Sequence, residues 1–430
     1  MMILVVDIMK GIQTQTAECL IIGELTCDKL LVVLNKTDLV PLDKRADKIA
    51  KVTKKIGLTL SKTKFKDTKI ISCSAAEKDG LDDLINVISN SVVLCKQDSA
   101  DTFVFAVDHC FAVRGQGTVL TGTCLAGSIS LNDPIKISDT KLERKVKSMQ
   151  VFRKSVDRIS QGDRAGLCVS QFDPKLLERG LVFTGDVVKT VHAAIIDINK
   201  VAYYKGSITT KMKYHVSIGH ETVLAKITFF KPELQDTTFC IDNHHLYQET
   251  YCEEDVGFAL LQFEQSVLCV DNSMVIISRL DMDINTPACR LAFYGKLQYL
   301  YTSPKYNEED LSDLKIFKFK EREGIVERMN DEYTVIGREL FKKETDIDLF
   351  KNLKVRLTSG EEGKIEGSFG QSGKCKIYIP DGLSEQTQKL LAVKKKKGKD
   401  NVDSSVVQEK ILIKLIFKRY IFDKKKMMLQ

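Results

Sequence analysis

The most specific chemistry in the chain lies in residues 31–40, "LVVLNKTDLV", where Asn35-Lys36-Thr37-Asp38 follows an unbroken apolar run. A carboxylate at Asp38 can accept hydrogen bonds from both the N1–H and the exocyclic amine of guanine, a donor pair that adenine lacks. Asn35 is expected to brace the loop, and the Lys36 stem to lie along the base. A second stretch, "IISCSAA" (70–76), follows in order and also ends an apolar run. There a backbone N–H from Ser74 or Ala75 could meet the guanine carbonyl. Read alone, Asn-Lys-x-Asp is short enough to arise by chance, and Ser74 is equally an ordinary helix N-cap.

A guanine reader normally stands beside a phosphate-binding loop, and no Gly-x4-Gly-Lys-[Ser/Thr] occurs in the 430 residues. "SGEEGKIEG" (359–367) and "GQSGKC" (370–375) lie among β-patterned segments without the strand-to-helix setting. "RGQGTVLTGT" (114–123) has strands on both sides and reads as a hairpin. "DRAG" (163–166) sits far downstream of the base reader. The sequence therefore predicts half a nucleotide site, with no catalytic residue and no metal ligands of its own. The twelve cysteines include no Cys-x-x-Cys, and most sit in apolar runs, where a thiol acts as a small hydrophobe. That usage fits a reducing compartment, cytoplasmic or also nuclear, with "KKKKGK" (394–399) either an import signal or a solvated loop.

Positioning these residues requires an α/β region over 1–97. "MILVVD" and "LLVVLN" read as parallel strands buried on both faces. Between and after them, Ala17, Leu20, Ile21 and Leu25, then Ile49, Val52, Ile56 and Leu60, then Leu81, Leu84, Ile85 and Ile88 form helical stripes. From 98 onward the runs are short, alternating and broken by Gly, Asn-Asp and Asp-Pro, as in β-barrels. Two barrels are expected, 98–190 and 191–301, with 231–256 as a loop. A basic β-rich domain follows at 302–430, interrupted by a disordered loop near 392–405. The strand "ILIKLIFKRYIF" must return to pair with strands before that loop. Residues 311–430 hold 27 Lys+Arg against 19 Asp+Glu, a net of +8, whereas the whole chain is +7. The positive excess suggests a polyanionic partner. No apolar run approaches the roughly 20 residues of a membrane-spanning helix.

The order of guanine reader, second specificity loop, barrel with "GQGTVLTGT" and further barrel resembles the translational GTPases that deliver tRNA. "KGIQTQTAECLIIGEL", "AVDHCFAVRGQGTVLTGT", "KVKSMQVF", "QGDRAGLCVSQFDPKLLERGL", "SIGHETVLAKITFF", "RLAFYGKL", "YTVIGRELFKKET" and "FGQSGKCKIYIP" narrow the resemblance. Together they are similar to the eukaryotic SelB type of selenocysteine-specific elongation factor. The resemblance implies GTP/GDP with Mg as cofactor, and selenocysteinyl-tRNA, the ribosome and a recoding-element RNA or its binding protein as partners of a monomer acting at UGA codons. By motif it assigns Asn35, Lys36, Asp38, Ser74 and Ala75 to guanine, and Asp108, His109 and Arg164 to the aminoacyl pocket. A lone strand histidine and a turn arginine are by default structural. Charge gives them a role, because a selenol ionises at neutral pH and a serine hydroxyl does not. In an ideal strand Asp108 and His109 point to opposite faces, so a shared pocket requires a bulge. "MMILVVD" resembles a stretch well inside the family's GTPase domain, which implies an N-terminally truncated gene model or isoform. The competing expectations are a nucleotide-independent RNA-binding short form and a structural partner of the translation machinery.

Overall fold

The computed structural model describes residues 1–92, 102–138, 142–233, 238–251, 257–283, 288–370, 373–396, 410–423 and 428–430. Two compact units emerge, one of residues 1–227 and 260–302, the other of residues 228–259 and 303–430.

The first unit opens with a three-stranded parallel sheet in the order β1 (Met2–Asp7), β2 (Leu30–Asn35), β3 (Ile70–Ser72). β2 lies in the centre, and five of its six residues are buried, which is why it reads as an unbroken apolar run. Helices α1 (Thr14–Thr26) and α2 (Leu42–Leu60) supply the crossovers, and Leu20, Val52, Ile56 and Leu60 pack with Leu4, Val6, Val32 and Leu34. Helix α3 (Leu81–Ser91) sets Leu81, Leu84, Val87 and Ile88 against Leu31, Val33 and Cys73. Ile85, expected in that stripe, is 59% exposed instead. It lies a third of a turn past Leu84, on the edge of a narrow contact. Glu18 of α1 receives two hydrogen bonds of 2.8 Å from Arg290, a bidentate pair between helix and barrel within this unit.

A barrel follows, of β4 (Val104–Val113), β5 (Gly117–Ala126), β6 (Ser128–Ser130), β7 (Pro134–Ile137), β8 (Leu142–Val151), β9 (Lys154–Val156), β10 (Arg158–Ser160), β11 (Arg164–Val169) and β12 (Gly180–Phe183). The order β11-β5-β4-β12-β7-β8 closes through β8–β11 pairing, so those six strands have no free edge. Phe103, Phe105, Leu120, Ile135, Met149 and Leu167 fill its interior. A second barrel closes from Val188–Asp197, Lys213–Ile218, Met274–Ser278 and Leu291–Tyr301, with the first-unit parts of Glu221–Pro232 and Phe258–Val270.

In the second unit Ile316–Asp331, Thr334–Arg338, Cys375–Tyr378, Glu362–Ser368, Lys354–Leu357 and Leu412–Tyr420 form another closed barrel. The strand after the lysine-rich segment does return, with Leu412–Tyr420 antiparallel to Ile316–Asp331 over nine residue pairs. Two expectations about loops are corrected. Glu385–Lys396 is helical, so the loop near 392–405 does not begin at 392, and its residues 397–405 lie outside the described residues, as does the end of "KKKKGK". Within 231–256, His245–Gln248 is a strand, parallel to Ile316–Asp331. Its period was hidden because His245 is buried with no aliphatic neighbour before it to mark the pattern.

Candidate functional site

The parallel register brings the two base-reading segments together. Cys73 N–H donates to Leu34 O at 2.8 Å and Thr37 N–H to Cys73 O at 3.3 Å, so the ends of β2 and β3 lie side by side. Ligands of open α/β sheets bind at this edge. Lys36 takes a left-handed conformation (φ 66°), which turns the chain out of β2 into a short turn of 3₁₀ helix over Thr37–Leu39.

The side chains of Asn35, Lys36 and Asp38 are each held by a partner. Asn35 Oδ1 accepts from Lys36 N–H at 2.8 Å and from Ala75 N–H at 3.1 Å, so it splices the two loops. Ser74 Oγ donates to Asp38 Oδ1 at 2.6 Å. That leaves Asp38 Oδ2 without a partner among the described residues. Ser74 N–H donates to Asp79 O at 2.9 Å. Neither backbone N–H of Ser74-Ala75 is therefore idle, and a guanine carbonyl would share the Ala75 donor with Asn35. Lys36 Nζ lies 3.0 Å from Asp7 Oδ2, at the end of β1. The Lys36 hydrogen bond, followed by that of Met9 N–H, holds the Asp7 carboxyl below its usual range. Asp7 was not picked out from the sequence. Its position closing the apolar run "LVVD", level with Asn35 on the next strand, was the available signal.

These groups fit a guanine base, since a half-open carboxylate, a braced amide and a lysine stem converge on one edge. They do not extend to phosphates or Mg, for which the chain has no matching loop, and the described residues contain no cluster of three or more His, Cys, Asp or Glu suited to a metal. Ser74→Ala should remove the contact that orients Asp38, worth about 1 kcal/mol and hence about a fivefold loss of guanosine affinity. An NMR titration with guanosine checks this, and an unchanged affinity would show that Asp38 does not depend on Ser74.

The second candidate cluster lies on the outer face of the first barrel. The β4–β5 register shifts between Val107 and His109, so Asp108 is the extra residue of a bulge. Arg164 begins β11 opposite Thr123 and pairs with Asp108 at 2.5 Å, while also donating to Thr123 Oγ1 at 3.1 Å. His109 is exposed and lies opposite Thr121, two residues from Thr123 on the same face of β5. Asp108 and Arg164 are thus joined, whereas the His109 ring has no hydrogen-bond partner among the described residues.

Beside Arg164 runs a groove of about 540 Å³ whose lining includes Phe111, Thr121, Gln150, Phe152, Arg153 and Arg164. Phe152 and Arg153 form the two-residue tip between β8 and β9, both with positive φ (48° and 65°), and Phe152 is 85% exposed. Bulky residues rarely adopt such backbone, so this tip is costly to hold. The sequence offered no sign of this, because the pair lacks the Gly or Asn that such turns normally take.

Comparisons with known proteins bear on the family and the fold. Residues 1–93 match the elongation factor Tu GTP-binding domain, 195–295 the third domain of eukaryotic selenocysteine-specific elongation factors, and 312–426 the eEFSec C-terminal RIFT domain. The selenocysteine-specific elongation factor of Mus musculus is 42% identical over an alignment covering all of this chain and 83% of the mouse protein. That of Methanocaldococcus jannaschii is 28% identical, over 86% of this chain and 76% of the archaeal one. Among solved structures, elongation factor SelB of Methanococcus maripaludis superposes with TM-scores of 0.66 in its apo form and 0.67 with the GTP analogue GppNHp. Both are 24% identical and cover 97% of this chain and 84% of theirs, a likeness of fold.

Proposed function

Since the chain belongs to the selenocysteine-specific elongation factors, a family of translational GTPases, we propose that it binds selenocysteinyl-tRNA and carries it to the ribosome at UGA codons under the control of a guanine nucleotide. The observation that carries this reading is the Asp108–Arg164 pair on its bulge, at the edge of a groove with an exposed aromatic ring and a second arginine. Arg164 supplies a fixed positive charge for a selenolate. Asp108 orients it and leaves other guanidinium donors free. Phe152 offers a face for a nucleic-acid base and Arg153 a charge for a phosphate, as the single-stranded end of a tRNA requires. Asn35, Lys36, Asp38 and Ala75 would hold guanine. His109 faces the same side and would assist once the aminoacyl end has excluded water.

The test is a deacylation-protection assay with selenocysteinyl- and seryl-tRNA on the purified chain, beside a GTP titration. Preferential protection of selenocysteinyl-tRNA is expected, with GTP affinity of about 0.1 mM or weaker. Two or three charge-assisted hydrogen bonds to a base are worth on the order of 5 kcal/mol without phosphate contacts. Equal protection of both tRNAs would refute the pocket assignment, and tight GTP binding would refute the half-site. The sequence contains no phosphate-binding motif, which favours a second reading, a regulatory form that binds tRNA without nucleotide. Protection that does not change between GTP and GDP would select it.

A further inference from the structure

Helix α2 carries Lys44, Lys48, Lys51 and Lys55, spaced by four, three and four residues. At 3.6 residues per turn they line one side of the helix, separate from the buried Val52, Ile56 and Leu60. Among the described residues none of these lysines has a carboxylate within ion-pair distance. Surface helices usually alternate charge at this spacing, and each like-charged pair costs a few tenths of a kcal/mol. The ridge is also not purely polar. Leu58 lies in the same stripe at 63% exposure, with Met9 (51%) and Ile12 (38%) across from it.

Between the ridge and the 8–12 loop runs a groove of about 490 Å³, bordered by Met9, Lys10, Ile12, Lys48, Lys55 and Leu58. Water satisfies unpaired lysines, but it does not satisfy exposed leucine, methionine and isoleucine set among them. A ligand that matches both carries carboxylates and apolar side chains together. A nucleic-acid backbone matches only the charges. The ridge shows no exposed aromatic for base stacking, and its one arginine, Arg45, is part-buried with Nε on Val40 O. We propose that this groove docks an acidic segment of another protein, with carboxylates on Lys10, Lys48 and Lys55 and an apolar side chain against Leu58 and Ile12. The surface shares no residue with the base reader or the barrel groove.

The test is fluorescence anisotropy on the full chain at low salt. The probe is a fluorescein-labelled peptide of Asp/Glu blocks separated by single Leu or Phe residues. Its controls are the same peptide with Ser in place of each apolar residue, and a labelled oligouridylate. The acidic–apolar peptide should bind, with about tenfold loss in Lys48→Glu, Lys55→Glu and Leu58→Ser, and about tenfold loss for the Ser peptide. All three positions face solvent at least in part, so circular dichroism should remain unchanged, and guanosine affinity should too. Two results overturn the proposal. One is no binding of the peptide. The other is oligouridylate binding that the lysine changes abolish and Leu58→Ser leaves intact, which makes the ridge a nucleic-acid surface.

Discussion

Arg164→Ala is expected to lower the preference for selenocysteinyl- over seryl-tRNA by about 30- to 100-fold, with seryl-tRNA affinity changed by less than about threefold. Serine and selenocysteine differ at one atom, so a pocket that judged only shape would separate them poorly. Charge separates them well, and Arg164 is the fixed positive group at the groove, held by Asp108 at 2.5 Å and Thr123 at 3.1 Å. A hydrogen bond to a charged group contributes about 1.5–3 kcal/mol, and 1.4 kcal/mol is a factor of ten. The same argument fixes the sign of the pH dependence. The preference is present above the pKa of the selenol and fades as pH falls through it, because a neutral selenol no longer gains from the guanidinium, while seryl-tRNA binding stays flat. Deacylation protection across pH checks both statements. A variant with undiminished preference would remove Arg164 from the pocket.

Gly122→Ala is expected to destabilise the first unit by about 3 kcal/mol or more. A Cβ at this position would lie 1.9 Å from Ala106 O and 2.9 Å from a carbon of the Phe105 ring. The neighbour is backbone on the paired strand, which cannot rotate away. Gly122 stands opposite Val107, immediately before the bulge that lifts Asp108 out of register. The substitution should therefore cost twice: a midpoint of thermal unfolding lower by about 10 °C, and a selenocysteinyl-tRNA preference reduced because the Asp108–Arg164 pair is displaced. A melting curve within a degree or two of the parent protein would show that the strands can separate there without penalty.

The proposed base-reading motif was legible because its residues are contiguous. Asn35 to Asp38 follow directly on a strand whose burial on both faces forces an unbroken apolar sequence, and a parallel strand's end is where ligands bind. The barrels were legible as alternation, and the need for a bulge at Asp108 followed from the two-residue period of a strand. Other features were not legible. Asp7 meets Lys36 across 29 positions, and Ser74 meets Asp38 across 36. Such distances along the chain are set by strand register, which no local pattern encodes. The hairpin tip at Phe152-Arg153 defies turn chemistry, so reading turns from residue type passes over it.

The sequence by itself determined the family and the succession of an α/β region followed by barrels, because hydrophobic period and short motifs survive in one dimension. Only the tertiary structure decided that Arg164 is joined to Asp108 and not to His109, that both backbone donors of Ser74-Ala75 are already engaged, and that the α2 lysines form one unpaired ridge beside apolar side chains. The reason is the same in each case. A hydrogen bond or a charge acts over a few ångströms, and which groups come that close is settled by packing, after the chain has folded.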